Sequence, residues 1–198
     1  SAISEDADVV RIMSIHKSKG LEFPIVIPGG LEKQFNQQDV RNRLVMDADL
    51  GAACDLLDPE KRIRKPTLFK RWVQKKVKDD NLAEEIRVLY VALTRAKEKL
   101  ILSAAVKDLG GKAKNWYQTA LECREGFSYQ ALSSAKGYLD FLMPSLLLRP
   151  GASGFREEYG LPGKGETEGS LEDDWNTDFK IRVMDVEDLF AEEMGQQV

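Results

Sequence analysis

The sequence is poor in cysteine and has no long apolar run. The first shortage argues against a disulfide-stabilised protein, and the second argues against a membrane-spanning one. The two cysteines, Cys54 and Cys123, form neither a CxxC pair nor a disulfide framework, which favours a reducing cytoplasm. No stretch approaches the roughly 18 consecutive apolar residues that a membrane span needs. The first ten residues are acidic and lack the apolar core of a secretory signal. We therefore expect a cytoplasmic protein that is not associated with a membrane.

The sequence also lacks a complete phosphate-binding loop. The pattern GxxxxGK[ST] does not occur, because GGKAKN (110–115) and PGKGET (162–167) have the wrong spacing and neither follows a predicted strand. Such a loop supplies a lysine to the β- and γ-phosphates and a hydroxyl to Mg²⁺. We therefore expect that this stretch of chain hydrolyses no nucleoside triphosphate by itself.

The net charge of −4 conceals an uneven distribution of charge. Residues 151–198 hold 13 acidic and 4 basic side chains, which leaves residues 1–150 with a net charge of +5. A net positive charge on residues 1–150 favours a polyanionic partner, although a charge of +5 is small for a segment of that length.

Hydrophobic periodicity predicts an α/β fold with a parallel sheet and flanking helices. Short apolar runs predict strands at 9–15, 23–30, 43–57 (a pair of strands) and 97–106, and 58–66 is predicted to be a charged loop. Apolar residues recur at helical spacing from Thr67 to about Ala96, with a break or cap expected at KDDN (78–81). The predicted order is therefore a strand, a crossover that contains helices, and another strand. This order is typical of a parallel sheet with helices packed on it.

The composition of the chain changes twice in its carboxyl-terminal half, which suggests that the chain consists of three segments. Residues 116–147 are mainly helical in pattern, 151–170 are rich in Gly and Glu as in a linker, and 175–190 alternate as in a strand. We predict a first domain over 1–110, a helical extension over 111–150 and an acidic linker and tail over 151–198.

The stretch RIMSIHKSKGLEF (11–23) has the composition of a phosphate site. A turn that follows a strand presents backbone N–H groups at the carboxyl end of a sheet, where ligands of α/β folds bind. Lysines, serines and the only histidine add positive charge and hydrogen-bonding groups. Glu22 is unfavourable beside phosphate unless it accepts from hydroxyls such as those of a ribose. The alternative is a solvated turn with His16 on the surface.

The stretch EEIRVLYVALTRAKEKLIL (84–102) places arginines on and after a predicted helix. Arg87 lies off the apolar stripe, and Arg95 lies near the helix end, before the next strand. A guanidinium there suits a phosphoryl group whose charge grows in a transition state. It equally suits a helix cap that complements the dipole.

Together the two stretches resemble motifs V and VI of superfamily 1 DNA helicases of the UvrD/RecB type, in that family's order. DLGAACDLLDPEKRIRKPTLFK and AKGYLDFLMPSL are similar to segments of the helicase–nuclease branch, and the resemblance covers about residues 9–148. It implies an incomplete RecA-like (P-loop NTPase-type) domain with a helical extension, whose Walker A and Walker B motifs lie outside this chain.

The resemblance implies a role for individual residues. Gly20 and Glu22 would bind ATP, with Glu22 on the ribose, and Arg95 would act catalytically on the γ-phosphate across the cleft between two motor domains. Contacts to single-stranded DNA would come from Ser14, His16, Lys17 and Ser18. Glu85, Arg87 and Tyr90 are expected to fix the motif VI helix.

The resemblance also implies cofactors and partners. The whole protein would use ATP and Mg²⁺, without a metal site in this chain, and would bind single-stranded and duplex-end DNA and an AddB-type subunit. It would unwind and digest DNA ends in double-strand-break repair, with its nuclease domain beyond the acidic tail. Because strands of the RecA-like sheet are missing, we expect self-association of this chain. The alternative is a non-catalytic helicase-like module that binds DNA or protein.

Two further features have two interpretations each. The basic run from Lys61 to Lys78 contains no acidic residue. One interpretation is a surface that binds DNA or a partner subunit. The other is a solvated helix face. Trp72 continues a helical stripe, which predicts a core position in preference to a platform for stacked bases.

Overall fold

A computed structural model of the chain describes residues 9–123, 126–162, 179–185 and 187, which form two compact units. The first unit runs to Ala105 and includes Lys136–Tyr138, and the second comprises Val106–Ala135 and the described residues from Leu139 onward. No helix in these ranges is long and apolar enough to cross a membrane. Each unit has a buried apolar cluster of its own.

The first unit combines a parallel strand pair, an antiparallel sheet and a long helix. Its elements in chain order are β1 (Phe23–Val26), α1 (Gln38–Arg41), β2 (Leu44–Asp47), β3 (Gly51–Asp58), β4 (Ile63–Pro66), α2 (Leu68–Leu93) and β5 (Ala96–Leu100). β1 pairs with β5, and β2, β3 and β4 form a separate three-stranded sheet in that order.

β1 and β5 are parallel, with Phe23 opposite Ala96 and Val26 opposite Leu100. The pairing continues past both strands, because Ile101 N–H donates to the Val26 carbonyl at 2.9 Å. Parallel strands need a crossover connection, and here α2 provides most of it. The predicted α/β fold with a parallel pair and flanking helices is confirmed.

β2 and β3 form the hairpin that the sequence predicted. The Asp47 carboxylate accepts the N–H groups of Asp49 at 3.0 Å and Leu50 at 2.9 Å, which closes the turn before Gly51. These bonds, and the ammonium of Lys76, lower the pKa of Asp47 from its ordinary value. β4 adds to β3 where a charged loop was predicted, because an exposed edge strand accepts charged side chains.

α2 is one uninterrupted helix of 26 residues. It begins after Thr67, whose side chain accepts the N–H of Lys70 at 3.1 Å and caps the first turn. The break expected at 78–81 is wrong. Lys76 pairs with Asp80 at 2.8 Å and Lys75 with Asp79 at 3.6 Å, and pairs four residues apart stabilise a helix through this stretch.

α2 packs on the three-stranded sheet through a small apolar core. Val45 and Ala53 of the sheet meet Val73 of α2, and all three are buried. Lys70 is also buried, and its ammonium donates to the Arg43 carbonyl and to the Asp55 carboxylate, both at 2.8 Å. A buried lysine is stable only when it is paired in this way.

Replacing Lys70 with Met should destabilise the protein by about 2–4 kcal/mol, because Asp55 loses its closest cation inside the fold. Urea unfolding measures the change. Lys61→Met is the matched control, since Lys61 is exposed and 3.8 Å from Asp58, and should change stability by less than about 0.5 kcal/mol. Equal stability of both variants would contradict the role assigned to Lys70.

The strand predicted over 9–15 is wrong. Residues 9–14 have no strand assigned, and Val10 and Ile12 are 95% and 98% exposed. A strand requires a neighbour for its backbone hydrogen bonds, which sequence pattern alone does not provide. The chain instead enters a 3₁₀ turn at Ile15–Ser18.

The second unit is helical in its described residues. It contains α3 (Leu109–Glu122), α4 (Tyr129–Ser134), α5 (Leu139–Leu147), a 3₁₀ turn (Pro150–Ala152) and α6 (Ser153–Glu158). Its core includes Trp116, whose indole N–H donates to Asp140 at 2.8 Å. The helical prediction for 116–147 is confirmed for the residues described, although α3 begins earlier than expected.

The linker predicted over 151–170 is wrong for its first part. Ala152, Phe155 and Leu161 are buried in the core of the second unit, because small and apolar residues are interspersed among the glycines and glutamates. Residues 163–170 lie outside the described residues, as does half of the strand predicted over 175–190. Its residues 179–185 have no strand assigned. The assignment of 1–110, 111–150 and 151–198 to named domains stays a prediction.

Candidate nucleotide and DNA site

The loop between residues 14 and 22 folds as a capped 3₁₀ turn. The N–H of Lys17 donates to the Ser14 carbonyl at 3.0 Å and, more weakly, to its hydroxyl at 3.4 Å. Ser18 is buried, and its hydroxyl donates to the Ile15 carbonyl at 2.7 Å. Ser14, His16 and Lys17 are exposed. Of the four predicted DNA contacts, three are therefore accessible, and Ser18 supports the turn.

Gly20 makes the sharp bend that joins this turn to β1. Its φ of +83° lies in the left-handed region that side chains with a Cβ rarely adopt. No atom lies within 4 Å of the position that a Cβ would occupy, so the requirement for glycine is conformational.

Arg95 joins the end of α2 to the loop before β1. Its guanidinium donates to the carbonyls of Val91 at 3.1 Å and Leu21 at 3.0 Å and to the Thr94 hydroxyl at 3.0 Å. Its own carbonyl accepts the N–H of Phe23 at 2.9 Å. Arg95 thus caps the helix and also holds the loop that carries Glu22. Three of its five N–H groups are used among the described residues, which leaves two for a ligand.

The site lies at the amino ends of the described parallel strands. We expected the loop at the carboxyl end of a sheet, which is wrong because residues 9–14 form no strand. β1 and β5 start at Phe23 and Ala96, opposite one another. Gly20, Glu22 and Arg95 therefore lie at one end of the strand pair. Their role in binding a nucleotide stays a prediction.

Sequence reasoning missed Lys97 at this site. Its ammonium lies 3.3 Å from the Glu22 carboxylate, and both side chains are more than half exposed. Parallel pairing of a strand that starts at residue 23 with one that starts at 96 brings the two together. This signal was available once the strands were predicted to be neighbours.

The three residues expected to fix the motif VI helix divide into two groups. Glu85 accepts a hydrogen bond from the Tyr138 hydroxyl and ties α2 to the segment 136–138. Burial and the neighbouring carboxylate raise the pKa of Tyr138, so the phenol stays protonated and donates. Arg87 pairs with Glu84 on the surface, and Tyr90 is exposed. Neither Arg87 nor Tyr90 is buried by the part of the chain that the structure describes.

Part of the basic run from Lys61 to Lys78 pairs with acidic residues from elsewhere in the first unit. Lys70 and Arg64 pair with Asp55, and Lys76 pairs with Asp47 at 3.1 Å. Both interpretations of this run are therefore too simple, since part of the run is internal and structural. Lys65 and Arg71 remain exposed.

The core position predicted for Trp72 is wrong, since Trp72 is 59% exposed. Successive residues of a helix point about 100° apart, so a residue next to buried Val73 need not share its face. The alternative interpretation, a platform for stacked bases, stays a prediction.

A comparison with known families identifies the first unit. Residues 1–107 match the UvrD-like helicase C-terminal domain. The chain belongs to this helicase family. Motifs V and VI, on which the resemblance rested, both lie inside the matched region. No group of three or more His, Cys, Asp or Glu residues that could hold a metal occurs in the described part of this helicase domain and its extension.

Individual relatives extend the similarity across both units. The chain is 40% identical over 200 residues to AddA of Bacillus mycoides strain KBAB4, an ATP-dependent helicase/nuclease subunit, and 42% identical over 203 residues to that of Bacillus cereus strain G9842. Each alignment covers 99% of this chain and 15% of the relative. Identity to the Oceanobacillus iheyensis protein is 47% over 157 residues, or 79% of this chain. The chain thus spans about 15% of the length of these relatives.

Replacing Gly20 with Ala should destabilise this helicase domain by about 1–2 kcal/mol, because alanine disfavours the left-handed conformation. Gly29→Ala is the matched control, since Gly29 has no positive φ and an equally open Cβ position. Thermal unfolding of both variants measures the difference. If Gly29→Ala lost as much stability as Gly20→Ala, the conformational role of Gly20 would be wrong.

Proposed function

We propose that this chain is part of the C-terminal motor domain of an ATP-dependent DNA helicase–nuclease subunit that processes DNA ends in double-strand-break repair. The observation that carries the proposal is the junction of Arg95 with the loop Gly20–Glu22, where residues of motifs V and VI lie at the same end of the β1–β5 pair. Family membership and the names of the relatives support the same assignment.

The residues at this junction fit one side of an ATP site. Glu22 is exposed and would accept from ribose hydroxyls, and the two remaining N–H groups of Arg95 would donate to the γ-phosphate across the cleft. Mg²⁺ and the phosphate-binding loop would be held by the other motor domain, since residues 1–198 contain no Walker A motif. This division of the site explains why both domains would be needed for hydrolysis.

The exposed Ser14, His16 and Lys17 would hold single-stranded DNA through its phosphates. The 3₁₀ turn that presents them continues through Gly20 into the loop held by Arg95. A shift of Arg95 upon ATP binding would therefore move the DNA contacts, and hydrolysis would reverse the shift. An AddB-type subunit would complete the assembly on duplex ends.

Replacing Arg95 with Ala in the full-length protein should lower DNA-stimulated ATP turnover by about 10³-fold or more, because charge on the γ-phosphate grows in the transition state. ATP binding should be largely kept. Arg95→Lys should restore little of the rate, since lysine lacks the planar fork. Steady-state ATPase assays with single-stranded DNA measure turnover, and a nucleotide-binding titration measures affinity.

Arg41→Ala is the control for loss of an arginine elsewhere in the same unit and should leave turnover unchanged. An unchanged rate in Arg95→Ala would reduce Arg95 to a helix cap and would favour the non-catalytic binding module. The 198-residue chain alone should hydrolyse no ATP. Turnover by this chain that Arg95→Ala abolished would contradict the division of the site between two domains.

The isolated chain should self-associate through the β1–β5 pair. Ile25 and Ile27 are 55% and 63% exposed, and the pair has only two strands within the described residues, so both of its edges are open. Sedimentation velocity should detect dimers or larger species at high concentration, and Ile25→Lys should shift them toward monomer. Tyr129→Lys, on the other unit, should leave the proportion of monomer unchanged. A monomer at every concentration would disprove self-association.

A further inference from the structure

The first turns of α2 carry an exposed patch of apolar, aromatic and basic side chains. Its members, the α2 patch, are Leu68, Phe69, Arg71, Trp72 and Lys75. Leu68, Phe69 and Trp72 are 85%, 43% and 59% exposed, which is unusual for three large apolar residues within five positions. No other described element of the first unit packs over Trp72 deeply enough to bury it.

The patch lies on the side of α2 away from the sheet. Lys70 and Val73 are buried against the sheet, and Trp72 points to a different side at about 100° per residue. Residues three and four apart on a helix are neighbours, so Trp72 adjoins both Leu68 and Lys75. The rings of Phe69 and Trp72 meet edge to face, with centroids 6.3 Å apart and an interplanar angle of 71°. This contact holds the two rings at the surface.

The charges around the rings favour a polyanion. Arg71 is exposed next to Trp72 in the chain, and Lys75, one turn further along α2, is exposed with its ammonium 3.6 Å from Asp79. The carboxylates of Asp47 and Asp55 pair with Lys76 and Lys70, so they do not offset these cations. The solvent side is therefore basic around an aromatic centre. Aromatic faces among cations are the pattern that binds single-stranded nucleic acid through stacked bases and phosphates.

The patch is far from the nucleotide site. Trp72 and Arg95 are 23 positions apart on and just after one continuous helix, which corresponds to about 35 Å at 1.5 Å per residue. A ligand on the patch would not touch Glu22 or Arg95. Contacts at the patch can therefore change DNA affinity without changing the binding of ATP.

We infer that the α2 patch is a second binding site for single-stranded nucleic acid, with bases stacked on Trp72 and Phe69 and a phosphate held by Arg71. This inference rests on the proposed DNA-binding function and adds to it a contact outside motifs V and VI. The site does not depend on base identity, because every base has an aromatic face.

The test uses the 198-residue chain and an oligothymidylate probe, with affinity measured by fluorescence anisotropy. Trp72→Ala should weaken binding about 5- to 100-fold, as expected for loss of one stacked base. Trp72→Leu, which keeps an apolar side chain but no ring, should weaken it to a similar extent, and Trp72→Phe should retain much of the affinity. Arg71→Ala should reduce the slope of log affinity against log salt by about 0.7.

A spectroscopic readout tests stacking directly. In a Trp175→Phe background the remaining tryptophans are exposed Trp72 and buried Trp116, so stacked bases should quench the Trp72 emission. Tyr129→Ala is the control for loss of an exposed aromatic residue on the other unit and should leave affinity and quenching unchanged.

The outcomes separate this site from the proposed function. If His16→Ala weakens binding but Trp72→Ala and Trp72→Leu do not, the α2 patch is not a DNA site and the motif V contacts stand. If Trp72→Ala weakens binding and Trp72→Leu restores it, an apolar side chain suffices at this position, and the inference that bases stack on the Trp72 ring is overturned. If the oligonucleotide does not bind the unmodified chain, both the proposed DNA contacts and the patch are wrong.

Discussion

The first unit is organised by the parallel pairing of β1 with β5. Parallel strands start at the same end, so the chain that leaves β1 must return to that end before β5 can begin. The hairpin and α2 occupy this return path, and α2 ends where β1 starts. The meeting of Arg95 with Leu21 is a consequence of this topology. The candidate nucleotide site exists because two distant stretches of sequence both precede a strand.

Different contacts hold the two ends of α2 in place. Its first turns are anchored by Lys70, whose burial is tolerated because Asp55 and a backbone carbonyl satisfy it. Its last turn is held by Arg95, which satisfies the helix carbonyl of Val91 and the loop carbonyl of Leu21. The middle is supported by ion pairs four residues apart, which are individually weak.

Much of the local structure was predictable from the sequence, because it depends on neighbours in the chain. The hairpin around Gly51 has alternating apolar residues and a turn aspartate, and α2 has a threonine cap and helical periodicity. In the first unit the sequence missed one strand and predicted another that does not form. β4 is charged and was not predicted, since edge strands need no apolar pattern. The run 9–15 is apolar and was predicted as a strand, but pattern cannot supply a pairing partner.

The sequence by itself determined the helicase motifs, the α/β class and the residues that carry the candidate chemistry. It could do so because these depend on residue type and spacing. Only the tertiary structure decided which of these side chains face solvent. Lys70, one of many lysines in a basic run, is buried against Asp55, and Trp72, on an apparent core stripe, is exposed. A single helix turns by about 100° per residue, so the side that is buried depends on the sheet that packs against it and not on the helix alone.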